Sequence, residues 1–530
     1  MTTTDETAAF FSESPRSKEE DKDDRGRTIS KGVRSLTAQN MGTSILALLF
    51  VSALVRYLPG AQYGIYSAIS ITVSIAAAFA TFGLQYASAR YLSILGSQRS
   101  RAVAARKIIL LSTISSTLVT ILLVAFSPSL SLFFTKSTSW AYDFDLAALW
   151  LFSSSIALIF QGFVQGLKRY SLLARILFIS RVVMVVLTII GLVEHANVSI
   201  AIYAWIVYGA IVTLWGLQVI RGEFQSLTNR EGGGQQRGEV SQGGFGFSEI
   251  LRYSFPLGIA GILSLATQNS DLVVVGGYLS PISLGVYNAV ITISSFLTFV
   301  LLTPLVTAIL PEASSSSKNP IQLSNGLRLA LRFIFLGVLP ASLFVAATSP
   351  QLLLIFSGQS SYLEGSISLE LIATFYSLLA IQTVIYSVLQ ALGRTLQVLL
   401  ITVATTSTEI GGSLVLVPHF GLLGAAVGRV LAASVGMIVS IQLARGLLFK
   451  KRENQGFYWK VIFSAIVPFF TILYLSNFVS HAIWTLAPYS LASGLLFLFC
   501  IRALKVLNNE DRALLAHILP EELKKLVAYV

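Results

Sequence analysis

The chain has a single cysteine, Cys500, so no intrachain disulfide framework can hold it together. Its four histidines, His195, His419, His481 and His517, are scattered and offer no ligand spacing for a metal. Charge is scarce too. Only 12% of residues are Asp, Glu, Lys or Arg, against roughly 25% in an average soluble domain. A soluble globular protein does not leave so little charge for its surface. A secretory leader is also missing from the expected picture. The first 35 residues, "SKEEDKDDRGR" among them, are polar and mixed in charge, so the first hydrophobic segment should remain as a helix.

What abounds is apolar sequence: 54% of residues are hydrophobic and the mean hydropathy is +0.74. The apolar residues come in runs of about 20, the length of a bilayer-spanning helix, parted by short polar joints. The expected fold class is therefore an all-α polytopic membrane protein. Fourteen spans are predicted, at 36–57, 64–89, 106–127, 145–167, 172–193, 198–220, 250–276, 284–310, 327–348, 365–392, 395–417, 420–444, 457–479 and 483–503. The two shortest joints carry Gly393 and the pair Pro418 and Gly421, as tight turns require.

The formal charge of +12 invites a nucleic-acid reading, but its distribution points elsewhere. Thirty-three of the 37 Lys and Arg fall in the even-numbered joints and the two tails or at the span ends beside them. Arg56 and Lys136 stand alone on the opposite side, and Arg181 and Arg429 lie inside spans. Cytoplasmic joints of membrane proteins are rich in Lys and Arg, so both termini are expected in the cytoplasm and no nucleic-acid partner is expected.

One stretch is written twice. "YLPGAQYGIYSAI" begins at Tyr57 and "YLSPISLGVYNAV" at Tyr278. At a fixed offset, Tyr57 matches Tyr278, Leu58 matches Leu279, Gly64 matches Gly285, Tyr66 matches Tyr287 and Ala68 matches Ala289. Six spans separate the copies, an even number that preserves orientation, so the halves are parallel repeats about an axis along the membrane normal. The expected organisation is a cytoplasmic tail (1–35), a first lobe of spans one to six (36–220), a linker (221–249), a second lobe of spans seven to twelve (250–448), two further spans (449–506) and a cytoplasmic amphipathic tail (507–530). The linker is Gly- and Gln-rich and reads as flexible. It lacks a G-x-x-x-x-G-K-[ST] pattern, so its glycines do not make a nucleotide site.

The L-x-x-x-x-x-G-x-Y turn in both halves, Asp271 six residues before Gly277, and "PHFGLLGAAVGRVLA" from Pro418 resemble the polysaccharide-exporter (Wzx-like) branch of the multidrug/oligosaccharidyl-lipid/polysaccharide superfamily. The resemblance covers about residues 33 to 480. It implies two lobes like those of multidrug extruders and lipid flippases, and alternating access. It also implies a cargo, a polyprenyl- or dolichyl-phosphate-linked oligosaccharide or polysaccharide precursor carried from the inner to the outer leaflet of the plasma membrane for cell-surface glycan synthesis. Membrane lipids and glycan-assembly enzymes would be its partners. No cofactor is expected, and coupling to a proton or sodium gradient or to the membrane potential stays open.

Ionisable side chains inside a membrane are costly and tend to face a cavity or a partner. Arg181 sits mid-span with no acid in its own span, and it is expected in the central cleft as a phosphate or sugar-acid ligand; pairing with helix carbonyls is the alternative. Glu409 and Arg429 are each ten residues from His419, which sets them at one depth on adjacent helices. They are expected either as a structural ion pair or as an ion-coupling or head-group site. Asp271, with Gln268 and Asn269 on the same turn as further cleft ligands, is expected either to meet Arg56 as an outer gate or to take up the coupling ion. Arg34, Arg90 and Arg252 are expected at a cytoplasmic portal, against the plainer reading of positive-inside charge.

Two rival readings stand beside this one. A multidrug cation extruder of the same superfamily would want more acids inside its lobes than this chain has. A membrane glycosyltransferase could use the D-x-D spacing of Asp143 and Asp145, although two acids opening span four also suit the positive end of a helix dipole.

Overall fold

A computed structural model describes residues 42–95, 98–228, 246–298, 302–303, 326–328, 330–332, 334–448, 455–476 and 483–507. Arg34, most of the linker and the amphipathic tail lie outside the described residues. The described residues are mainly helical, with no strand among them. Outer and inner denote the sides that the charge distribution assigns.

The first lobe comprises α1 (Gly42–Tyr57), α2 (Gly60–Thr81), α3 (Leu84–Ile94), α4 (Gln98–Thr135), α5 (Ala141–Gly166), α6 (Tyr170–Glu194) and α7 (Val198–Thr228). The second comprises α8 (Phe247–Tyr278), α9 (Pro281–Leu297), α10 (Leu339–Ala347), α11 (Ser349–Ser357), α12 (Ser366–Thr374), α13 (Tyr376–Ala391) and α14 (Thr395–Leu448). Two helices follow, α15 (Gln455–Ser476) and α16 (Leu486–Ala503). Ten helices among the described residues are long and apolar enough to cross a bilayer, eleven if α12 and α13, bent by 45°, form one span. The count is of described residues: the described parts of α1 and α9 are shorter than a full span, and α14 contains a reversal.

That reversal is at Gly421, whose φ of 59° and ψ of −133° leave the helical region. A Cβ on Gly424 would stand 2.3 Å from the Leu416 carbonyl, and one on Gly412 would stand 3.2 Å from the Gly428 Cα. Residues eight apart in a straight helix are separated by about 12 Å, so the two arms of α14 run back antiparallel, as the Pro418–Gly421 joint predicts. Gly393 likewise takes a φ of +70° at its turn.

Span two departs from the expectation. It is broken at Phe82 and Gly83, both left-handed with φ of 35° and 77°. The break lets α3 leave the axis of α2 where the lobes touch at the inner end. A Cβ on Gly83 would meet the Ser254 carbonyl at 2.4 Å, and one on Gly258 would meet the Phe82 backbone at 2.9 Å.

The duplicated turn explains itself once folded. Ser67 and Asn288 are 221 positions apart, the repeat offset, and the Asn288 Nδ2 donates to the Ser67 Oγ at 2.7 Å. Equivalent residues of the two repeats therefore touch, which places the pseudo-two-fold axis between them. Gly64 is the closest point: a Cβ there would stand 1.6 Å from the Pro281 carbonyl, so only glycine fits. Around this contact the largest buried cluster runs across both lobes, with Leu54, Leu58 and Tyr63 from one side and Val275, Tyr287 and Leu353 from the other. Towards the inner side a smaller cluster around Phe160 and Phe163 takes in Ile250 of α8, and a separate one lies around Ile385 and Ala444 in the second lobe.

Candidate functional site

Between the lobes lies a cavity of about 720 Å³ lined by α1, α2, α3, α5, α6, α7 and α8. Arg181 of α6 faces it. The guanidinium meets aromatic rings rather than an acid: its Cζ stands 4.6 Å from the centroid of Trp205 and 5.9 Å from that of Tyr208. Trp205 is stacked on Trp150 at 5.1 Å, and Trp150 on Tyr66 at 6.2 Å. The Trp205 Nε1 donates to the Tyr66 hydroxyl at 3.0 Å, which fixes the plane of the ring beneath the arginine. A cation over an indole face is attracted by the ring quadrupole. Arg181 is thus positioned without being neutralised. Its buried Nε has no hydrogen-bond acceptor among the described residues.

The second lobe holds a different centre. Asp271 of α8 is fully buried. Its carboxylate accepts from the Arg429 Nε at 2.8 Å and the Arg429 Nη2 at 3.0 Å, from the Tyr287 hydroxyl at 2.7 Å and from the Leu272 backbone N–H at 2.8 Å. Glu409 is the more distant member of the group, 3.4 Å from the Arg429 Nη2. The expected Glu409–Arg429 contact across the hairpin is present, yet it is secondary to the bidentate pair with Asp271. Two carboxylates share one guanidinium, so the centre carries one excess negative charge when both are ionised.

Asp271 and Arg56 do not meet. The depth of Asp271 brings it to Arg429 on the far arm of α14, while Arg56 at the end of α1 donates to the Ile355 carbonyl. Gln268 lines the cavity, and its backbone carbonyl accepts from the Arg429 Nη2 at 3.3 Å. That links the cavity wall to the buried centre. Asn269 turns away and donates to the Leu265 carbonyl of its own helix. At the inner end, Arg90 stacks on the Tyr253 ring, Cζ to centroid 4.2 Å, across the lobe boundary. Arg252 is exposed beside it. Asp143 and Asp145 do not form a metal pair: the first accepts from Ser199 at 2.8 Å and the second from Ser127 at 2.5 Å. No cluster of three or more His, Cys, Asp or Glu suited to a metal occurs among the described residues.

Sequence reasoning missed the aromatic wall of Trp150, Trp205 and Tyr208. A signal for it existed in the repeat. Tyr66 and Tyr287 are equivalent positions, and each hydroxyl holds the polar centre of its own lobe, Trp205 in one and Asp271 in the other.

The chain matches the family described as polysaccharide biosynthesis protein over residues 29–317, more than half its length. It belongs to that family. Residues 256–415 also match the MatE family. In fold it is similar to the lipid II flippase MurJ in an inward closed conformation, with a TM-score of 0.70 at 15% identity over 89% of this chain and 99% of that one. It is also similar to an inward-facing multidrug resistance MATE family transporter (0.57, 17%, 76% and 94%) and to a transporter of the same superfamily from Pyrococcus furiosus (0.53, 19%, 78% and 95%). None of the curated proteins matches. The chain is a multi-pass member of the multidrug/oligosaccharidyl-lipid/polysaccharide superfamily, and it shares its fold with the MurJ flippase. Family and fold alike indicate a transporter rather than an enzyme.

Proposed function

We propose that this protein carries a lipid-linked glycan from the inner to the outer leaflet of the plasma membrane, with Arg181 receiving the phosphate or diphosphate that joins lipid to sugar. The carrying observation is an arginine in the cleft wall with no acid beside it among the described residues. Arg181 faces a cavity of about 720 Å³ with aromatic rings beneath it and a free buried donor. A guanidinium so placed gains by pairing with a visiting anion, and its planar fork suits phosphate bidentately. Arg34, Arg90 and Arg252 would attract the same head group at the inner mouth, and Gln268 would touch it deeper in. Asp271, Glu409 and Arg429 would respond to a proton or sodium gradient, or to the membrane potential, because their excess charge changes when a cation arrives. Both termini would face the cytoplasm, beside glycan-assembly enzymes.

Arg181 decides between this reading and scaffolding. Flipping of a lipid-diphosphate oligosaccharide is measured in vesicles containing the purified protein. Arg181→Lys should retain part of the activity, and Arg181→Gln and Arg181→Glu little, with all three inserting normally. Wild-type flipping by Arg181→Gln would overturn the assignment. The second reading, export of organic cations, is favoured by the negative centre at Asp271 and Glu409. It predicts that Glu409→Gln abolishes efflux of a lipophilic cation while Arg181→Gln leaves it intact.

A further inference from the structure

Of the 37 Lys and Arg in the chain, only Arg56 and Lys136 fall on the outer side, and both are spent in the same way. Arg56 at the end of α1 donates its Nη2 to the Ile355 carbonyl in the last turn of α11. Neighbouring groups reinforce the contact: Ser52 donates to the Phe356 carbonyl at 2.9 Å, and Gln359 returns a bond to the Val55 carbonyl at 2.8 Å. Lys136, just past α4, donates its Nζ to the Phe133 carbonyl of its own helix and to the Gly277 carbonyl in the last turn of α8. There Phe133 and Phe134 press on Gly277 and Gly276 so closely that a Cβ would stand 2.6 and 2.5 Å from the rings.

The two contacts are images of each other under the repeat. One sets the end of span one against α11, which extends span nine; the other sets the end of span seven against span three. The axis exchanges one with seven and three with nine. In both, however, the cation comes from the first lobe and the acceptors are carbonyls at the C-terminus of a second-lobe helix. Those carbonyls are the unsatisfied, negative end of the helix dipole. Symmetry alone would put one cation on each lobe, so the arrangement gives the first lobe a positive rim that fits a negative rim opposite.

We propose that Arg56 and Lys136 form an electrostatic latch that holds the outer face of the transporter shut. Both side chains are exposed, so the latch is weakened by salt and easily undone in each transport cycle. It acts beside the Ser67–Asn288 contact on the axis and needs no cargo.

The test uses the full chain in lipid nanodiscs, with Cys500 replaced by Ser and spin labels on cysteines at His195 and Ser361, exposed on the outer ends of opposite lobes. Arg56→Gln with Lys136→Gln should raise the ratio of long to short inter-label distances about tenfold, equivalent to about 1.4 kcal/mol. Arg56→Lys with Lys136→Arg should keep the parent distribution. High salt should open the parent protein and leave the Gln variant unchanged. An unaltered distribution in the Gln variant, or the same shift in the charge-preserving variant, would overturn the latch. Should the Gln variant not insert, an absence of salt-induced opening in the parent protein overturns it. Because no cargo is present, the outcome is independent of the role given to Arg181.

Discussion

Removing Arg429 should cost far more than removing either acid beside it. Asp271 is fully buried, and Arg429 supplies two of its hydrogen bonds, at 2.8 and 3.0 Å. In Arg429→Met both carboxylates lose their countercharge inside the membrane. Breaking a buried pair by removing one partner costs about 3–5 kcal/mol. Glu409→Gln removes only a 3.4 Å contact and relieves the excess negative charge, and the amide oxygen can still accept from Arg429. Its net cost should stay within about 1 kcal/mol, the worth of one hydrogen bond. Asp271→Asn should fall between the two, since Glu409 remains to pair with Arg429. The measurement is thermal inactivation of purified protein, followed by the monodisperse fraction on size-exclusion chromatography. The expected order of stability is wild type and Glu409→Gln together, then Asp271→Asn, then Arg429→Met. Asp271→Asn combined with Arg429→Met should recover most of the loss, because no unpaired charge remains at the deepest position. The reasoning fails if Arg429→Met is as stable as wild type, or if Glu409→Gln destabilises as much as Arg429→Met.

Other expectations rest on single contacts. Gly64→Ala forces a methyl against a backbone carbonyl 1.6 Å away, whereas Gly285→Ala meets its neighbour at 3.1 Å. Gly64→Ala should therefore expose a cysteine at Ser67 to a membrane-impermeant thiol reagent, and Gly285→Ala should do so much less. Trp205→Phe should preserve flipping, and Trp205→Leu should raise the cargo concentration needed for half-maximal rate, since the Arg181 guanidinium rests on the Trp205 ring face. Cysteines at Ser137 and Ser360 should react with the same reagent from outside intact cells and a cysteine at Ser100 should not; reversal at two of the three sites would invert the topology. Asp143→Ala should leave no metal-dependent transferase activity to lose, because Asp143 and Asp145 are each engaged by a serine on a different helix.

Hydropathy and charge are summed along the chain, so the sequence by itself determined the membrane class, the helical segments, the asymmetry of Lys and Arg and the parallel duplication. The turns at Gly393 and Gly421 were legible for the same reason, as a left-handed residue is a local demand. The family likeness was also carried by local motifs. Which charged side chains meet was not local. Asp271 was matched to Arg56 by height along related helices, yet it pairs with Arg429 because α8 packs on the far arm of α14. The aromatic support of Arg181 comes from α5 and α7, and no spacing within α6 announces it. The break at Phe82 and Gly83 is set by the approach of Ser254 and Gly258 from the other lobe. Only the tertiary structure decided these points, because a buried ion's partner depends on helix crossing and rotation, which apolar runs alike on every face leave unspecified.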